Sequence, residues 1–197
     1  MKLLNPGYSS ESTGGSLYYN SKSGNCYAGQ NNATKACNFT STGIKNDTTK
    51  NMISDTTYYL GGYSTSSLYS NQIYEYERGT TVYTGRPTTW KGKVALAYPS
   101  DYGYAVDLNK CSESLVLYND TACISNSWIS SMFTSDTWLL NPRADTSNQS
   151  SSISSNKVLP TVGVDSKYAV FPTLYLNSEL SIKSGTGSSS DPYQLNV

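Results

Sequence analysis

A chain of 197 residues suits one domain, or at most two, and is long enough to bury a real core. Its formal net charge is zero and it has no basic run, which argues against a nucleic-acid surface. Disorder is argued against as well, because 18 Tyr and no net charge are the opposite of a disordered composition.

Only 14% of residues are charged, against a usual ~25%. Ser, Thr and Asn fill the gap, and Tyr outnumbers Phe 18 to 3. Such side chains hydrogen-bond without a large charge to desolvate, and Tyr adds broad amphipathic area at low entropic cost. This composition fits a secreted, β-rich surface, whether plainly solvated or used for binding.

Residues 1–41 are polar and Gly-dotted and read as irregular loop with short strands. Asp47 then opens a predicted helix whose face carries Met52, Ile53, Tyr59 and Leu60, stopped by Gly61-Gly62. A second short helix is predicted over Asn71–Arg78, capped by Ser70 and ended by Gly79. Lys93–Tyr98 alternates, with Val94, Leu96 and Tyr98 on one face, and predicts a strand ended by Pro99. Ser125–Phe133 predicts an amphipathic helix grouping Trp128, Ile129, Met132 and Phe133. Thr137–Leu140 predicts a buried strand stopped by Asn141-Pro142, and 143–156 an exposed loop or edge hairpin. Tyr168–Leu176 is a strand in which Pro172 demands an edge or a bulge. Ser178–Lys183 and Tyr193–Val197 flank Gly185-Thr186-Gly187-Ser188 as two further strands.

That last glycine-rich stretch invites a phosphate-loop reading. The reading fails, because a serine run and Asp191-Pro192 follow instead of Gly-Lys-Ser/Thr and a helix. A closing β-hairpin fits the flanking alternation better. The chain as a whole reads as α+β: two or three short helices in the first two-thirds and a mostly antiparallel sheet, in a single domain over residues 1–197.

The four cysteines fall as two local pairs, Cys26 with Cys37 and Cys111 with Cys123. No CxxC and no His occur, so a zinc site would need all four thiolates or carboxylates. Two short-range disulfides fit better than free thiols or metal, and imply an oxidising compartment. No apolar signal segment follows Met1, so the expectation is an extracellular fragment of a longer precursor. Five Asn-x-Ser/Thr triplets, at Asn32, Asn38, Asn46, Asn119 and Asn148, are mostly chance in so polar a chain.

Three stretches carry a resemblance: "KNMISDTTYYLGGY", "YEYERGTTVYTGRPTTWKGKVALAYPSDYGYAVD" and "VFPTLYLNSELSIKSGTGSSSDPYQL". Together they resemble the C-terminal extracellular head of Gram-positive prepilin-type or type II secretion-like surface proteins, in which a hydrophobic pilin-like helix precedes such a head. A looser likeness links "TWLLNP" and "AVFPTLYLN" to surface domains with a C-type-lectin-like or formylglycine-generating-enzyme-like fold. That likeness implies a C-type-lectin-like arrangement. It does not carry either activity over, since the Glu-Pro-Asn calcium motif and late paired cysteines are absent and Phe171 replaces an Arg.

Catalytic chemistry finds little support. Without His there is no Ser/His or Cys/His pair, and none of the eleven lysines sits in a Ser–Lys context. Glu75 and Glu77 point to different helix faces. Asp101 and Asp107 flank Tyr102 and Tyr104, and acid beside aromatic suits sugar stacking. The bland alternative is a Pro99-Ser100-Asp101 turn with Tyr packing. Glu77-Arg78, Arg86-Pro87 and Trp90 offer a cation–π contact or a structural Arg–Glu bridge. Asp145, Asn148, Asp165 and Asp191 give only a weak calcium signal.

The expected ligand-binding residues are therefore Trp90, Asp101, Tyr102, Tyr104 and Asp107, with no catalytic residue, metal or cofactor. The expected function is a non-enzymatic extracellular or pilin-like surface domain acting in adhesion or filament display. Its partners would be an extracellular glycan, a protein or copies of itself, with no nucleic acid and no membrane contact. The alternatives are a cell-envelope carbohydrate hydrolase using two acids, and a purely structural filament subunit.

Overall fold

The computed structural model describes residues 26–27, 33–35 and 47–196, apart from 66, 165 and 167. Within them the architecture is α+β, with short helices and small sheets whose paired strands all run antiparallel. β1 (Cys26–Tyr27) pairs with β2 (Ala33–Lys35). Cys37 lies outside the described residues, and so does the expected bridge from Cys26.

α1 (Asp47–Asn51) is much shorter than the helix predicted to run to Gly61. Thr56–Tyr59 forms β3 instead, antiparallel to β4 (Thr89–Gly92), with Tyr58 opposite Trp90. β-Branched Thr56 and Thr57 and aromatic Tyr58 and Tyr59 suit a pleated surface. Their burial alternates accordingly: Tyr58 is buried while Thr57 and Tyr59 are exposed.

α2 (Ser70–Arg78) lies where the sequence places it, and Gly79 follows it. Ser70 is not its cap, however. Its hydroxyl is buried against the Tyr118 hydroxyl at 3.0 Å, and the Gln72 side chain accepts the Tyr69 N–H. Ile73 and Glu77, four apart, form the buried face.

β5 (Val94–Leu96) pairs with β9 (Pro172–Leu174), and Pro172 opens its strand in this two-stranded sheet. Both faces of the 94–98 segment are covered, since Ala95 and Ala97 are buried along with Val94 and Tyr98. Pro99 then starts α3 (Pro99–Tyr104), at the helix position where its missing N–H costs nothing.

The helix predicted over 125–133 does not form. α4 (Thr121–Ser125), capped by Asp120, ends there, and a short 3-10 turn covers Ser130–Met132. Ser127 bridges back to Val106, and the Asn126 carboxamide donates to Ala122 O at 2.7 Å. These contacts take the chain off the helical path, so Trp128 is 73% exposed while Phe133 is in the core.

β6 (Thr137–Pro142), β7 (Gln149–Ile153) and β8 (Thr161–Gly163) form a three-stranded sheet with β7 in the centre. The strand predicted over Thr137–Leu140 runs on through Asn141 and ends at Pro142; of the exposed loop or edge hairpin expected over 143–156, a hairpin forms with β6, but its strand β7 is central. The register shift between Trp138 and Pro142 accommodates the proline. Ser151, Ser152 and Ile153 are buried. Hydroxyls are tolerated there because they are paired: Ser151 Oγ donates to Asn141 O at 2.5 Å and meets Tyr63 Oη at 2.9 Å.

β10 (Ser181–Ser184) pairs antiparallel with β11 (Gln194–Asn196). Gly185 and Gly187 between them take φ of 96° and 81°, the left-handed region that glycine enters without strain. Asp191 accepts the Thr186 N–H.

Gly61-Gly62 has a different role from the helix stop expected of it. A Cβ on Gly61 would lie 2.6 Å from Gly79 O and 2.8 Å from Glu77 O. On Gly62 it would meet Pro142 O and lie 3.0 Å from Ala144 N. The strand leaving β3 thus threads between the C-terminus of α2 and the end of β6.

The main core gathers Tyr63, Ile73, Leu115, Phe133, Leu139 and Ile153. Cys111–Cys123, the bridge expected from spacing, joins it with both cysteines buried. Closing a loop of 12-residue separation is worth just under ~3 kcal/mol in the chain-entropy model. Reduction is expected to lower unfolding stability by that amount, measurable as a shift of the denaturant midpoint with and without dithiothreitol. Among the described residues no helix is long and apolar enough to cross a membrane.

Candidate functional site

α2, α3 and the residue after β9 together raise a band of tyrosines. It starts at Trp90, half-buried on β4, whose indole covers Gly92 and packs on Tyr58 at 5.7 Å between ring centres. Tyr58, itself buried, packs on Tyr175 at 5.8 Å. Arg78 continues the band: its guanidinium lies 3.5 Å over the Tyr74 ring and 4.9 Å from the Tyr98 ring. Tyr74 then meets Tyr104 edge-on at 6.2 Å. Tyr74, Tyr104 and Tyr175 are 43–46% exposed, large apolar faces presented to solvent.

The band rests on a polar anchor. Glu77 is fully buried, and its carboxylate accepts the Ser100 N–H at 2.7 Å, the Ser100 hydroxyl and Arg78 Nη1 at 2.9 Å. The anchor joins the end of α2 to the start of α3. Burial pushes the Glu77 carboxyl up to about 7, against the pull of Ser100 and Arg78. The Glu–Arg bridge is thus present, as the structural reading expects, but the cation–π partners are Tyr74 and Tyr98, not Trp90. Arg86 is used elsewhere, donating to the carbonyls of Arg143 and Ser147.

Beyond Tyr104 the surface dips into a groove of ≈ 340 Å³ between Tyr69 and Leu108, rimmed by Asn71, Ser112 and Glu113. Its floor is rigid. The Tyr118 hydroxyl is shared between Ser70 Oγ and Gly103 O, and Cys111 is held by its disulfide. Gly103 permits this closeness, since a Cβ there would lie 2.6 Å from Ser70 Oγ.

Of the expected residues, Tyr104 lies both in the band and on the groove, and Trp90 lies at the far end of the band. Tyr102 is misassigned as a ligand contact: it is 2% exposed, packs on Tyr118 and Phe133, and its hydroxyl donates to Lys157 O. Asp101 is open to solvent as a residue, but its carboxylate accepts the Tyr98 N–H at 2.9 Å at the first turn of α3. Burial by its neighbours pushes that carboxyl up. Asp107 lies past the other end of α3, where it accepts the Asn109 N–H and pairs with Lys110 at 3.4 Å, contacts that hold its carboxyl low. Neither acid lines the groove.

The oxygen ligands suggested for calcium are dispersed. Asp145 is bound by Arg143, Asp191 closes its own turn, and Asp165 lies outside the described residues. Among the described residues no group of three or more His, Cys, Asp or Glu could hold a metal ion. Sequence reasoning missed Tyr69, Tyr74, Tyr175 and the groove.

No protein-family model, curated protein or solved structure matches the chain.

Proposed function

We propose that the chain is a non-enzymatic extracellular surface domain, pilin-like in its setting, that adheres through the tyrosine band. The exposure of Tyr74, stacked on Arg78, with Tyr104 against it and Tyr175 within electrostatic reach of Arg78, carries this reading. Large aromatic faces with polar tips give contact area at low entropic cost, and Arg with Tyr is a frequent core of binding surfaces. Nearly every acid near the band is committed to internal hydrogen bonds: Glu77 to Ser100, Asp101 to the α3 cap, Asp107 to its turn. The disulfide supports an oxidising, extracellular location. The small antiparallel sheets and short helices are compatible with a C-type-lectin-like arrangement and a closing hairpin.

A binding screen of immobilised glycans and matrix proteins tests the adhesive role. The expected outcome is retention on at least one surface. Flat results across the panel, with ordered filaments of the chain seen by electron microscopy, would favour the structural-subunit alternative instead.

A further inference from the structure

The groove between Tyr69 and Tyr104 carries a more specific ligand. We propose that it binds one or two neutral hexopyranose rings. This rests on the adhesive reading and names the chemistry of one part of that surface.

Three observations point there. Tyr69, Tyr104 and Leu108 are 46–50% exposed and offer apolar faces on which the C–H face of a sugar ring can stack. The donors of the floor are already used, since Ser70 Oγ donates to the Tyr118 hydroxyl and that hydroxyl donates to Gly103 O. Polar recognition therefore falls to the rim. There the Asn71 amide, the Ser112 hydroxyl and the Glu113 carboxylate make no side-chain hydrogen bond or ion pair within the described residues. The amide and the hydroxyl both donate to and accept from sugar hydroxyls, and the carboxylate accepts from them.

Charge narrows the class. Among the described residues no Lys or Arg lines the groove and Glu113 is its one charged side chain, so phosphorylated or carboxylated sugars are repelled. A quaternary ammonium ion would also suit tyrosines beside a carboxylate. It forms no hydrogen bonds, however, and would leave Asn71 and Ser112 unused. The volume, at the small end of ligand sites, matches a short glycan end better than a peptide.

The test is amide and side-chain NMR of the full chain, titrated with the methyl glycosides of glucose, galactose, mannose and N-acetylglucosamine. Choline chloride and glucose 6-phosphate form separate arms. The expected result is saturable shifts at Tyr69, Asn71, Tyr104 and Glu113 with at least one neutral glycoside, with Kd on the order of 1 mM. Tyr104→Ala and Glu113→Gln should each weaken that binding about tenfold or more, while Ile182→Ala, on the exposed face of β10, leaves it unchanged. The dispersion of each variant's spectrum reports folding. Shifts with choline alone, with the phosphorylated sugar alone, with none of the probes, or centred on Tyr175 would overturn the proposal. If the sugars fail while the chain still adheres in the binding screen, the adhesive reading stands and only the groove assignment falls.

Discussion

Glu77→Ala destabilises the fold by about 3–5 kcal/mol, the range for breaking a buried charge pair from one side. The Ser100 N–H and hydroxyl lose their acceptor in a fully buried site, and Arg78 loses its carboxylate. Urea unfolding followed by tyrosine and tryptophan fluorescence measures the change. Glu77→Gln keeps the shape and one acceptor, so its loss at neutral pH is smaller. The two variants also separate in their pH behaviour. The folded carboxyl is raised to about 7 from an ordinary 4.5, so the fold binds its proton more tightly than the unfolded chain does. That contribution is complete below the unfolded value and is lost as pH rises toward and through about 7. At 1.36 kcal/mol per pKa unit the total is about 3 kcal/mol. Wild-type stability should therefore fall between pH 4.5 and 7 by more than that of Glu77→Gln, in which this slope is absent. Identical profiles for the two proteins would contradict the buried, proton-binding role.

Gly61→Ala is the second large effect, a loss of about 3 kcal/mol or more at the upper end of overpacking costs. The added methyl meets three carbonyl oxygens of α2's last turn and its flank, Tyr76 O, Glu77 O and Gly79 O. These are backbone atoms, so no side chain can rotate away. Gly61 N–H also donates to Glu77 O, which fixes the approach. Gly85→Ala is the control. Its Cβ would meet nothing, although its φ of 85° makes it cost a little through strain. A thermal-melt comparison reads both, and Gly61→Ala should fall well below Gly85→Ala.

The contrast between these glycines shows where the sequence was legible. α2, the α+β class and the Cys111–Cys123 bridge follow from local signals: a cap region, a helical spacing, a short loop between cysteines. Gly61-Gly62 carries the same two letters as a helix stop, but its cause is non-local, the arrival of α2 on one side and β6 on the other. β7 was illegible for a related reason. "QSSSI" looks solvated because its serines are polar, yet their hydroxyls are satisfied by Asn141 O, Tyr63 and Pro160 O. No residue within the segment announces that pairing. Thr56–Tyr59 shows the third kind of failure, a 3.6-residue spacing of apolar positions that β-branched and aromatic propensity overrides.

The site divides in the same way. An aromatic patch beside Asp101 could be placed near residue 100, and Tyr104 does present its face. Which tyrosines of α3 point out depends on where the helix packs. Tyr102 and Tyr104, two apart, therefore exchange the roles an unstructured patch would give them equally. The partners on α2 and just after β9 come from segments about 30 and 70 residues away, and only the fold brings Tyr74 and Tyr175 near each other.

Adhesion through the exposed tyrosine band is the role we propose for the domain. Its most direct test displays the chain on inert beads and measures retention on the surface identified by the binding screen, for wild type and for Tyr74→Ser/Tyr175→Ser. Both side chains are exposed, so the double variant should keep a near wild-type melting temperature. It is expected to lose most of the retention, tenfold or more in apparent affinity on the hot-spot scale. Retention equal to wild type in a folded double variant would contradict it.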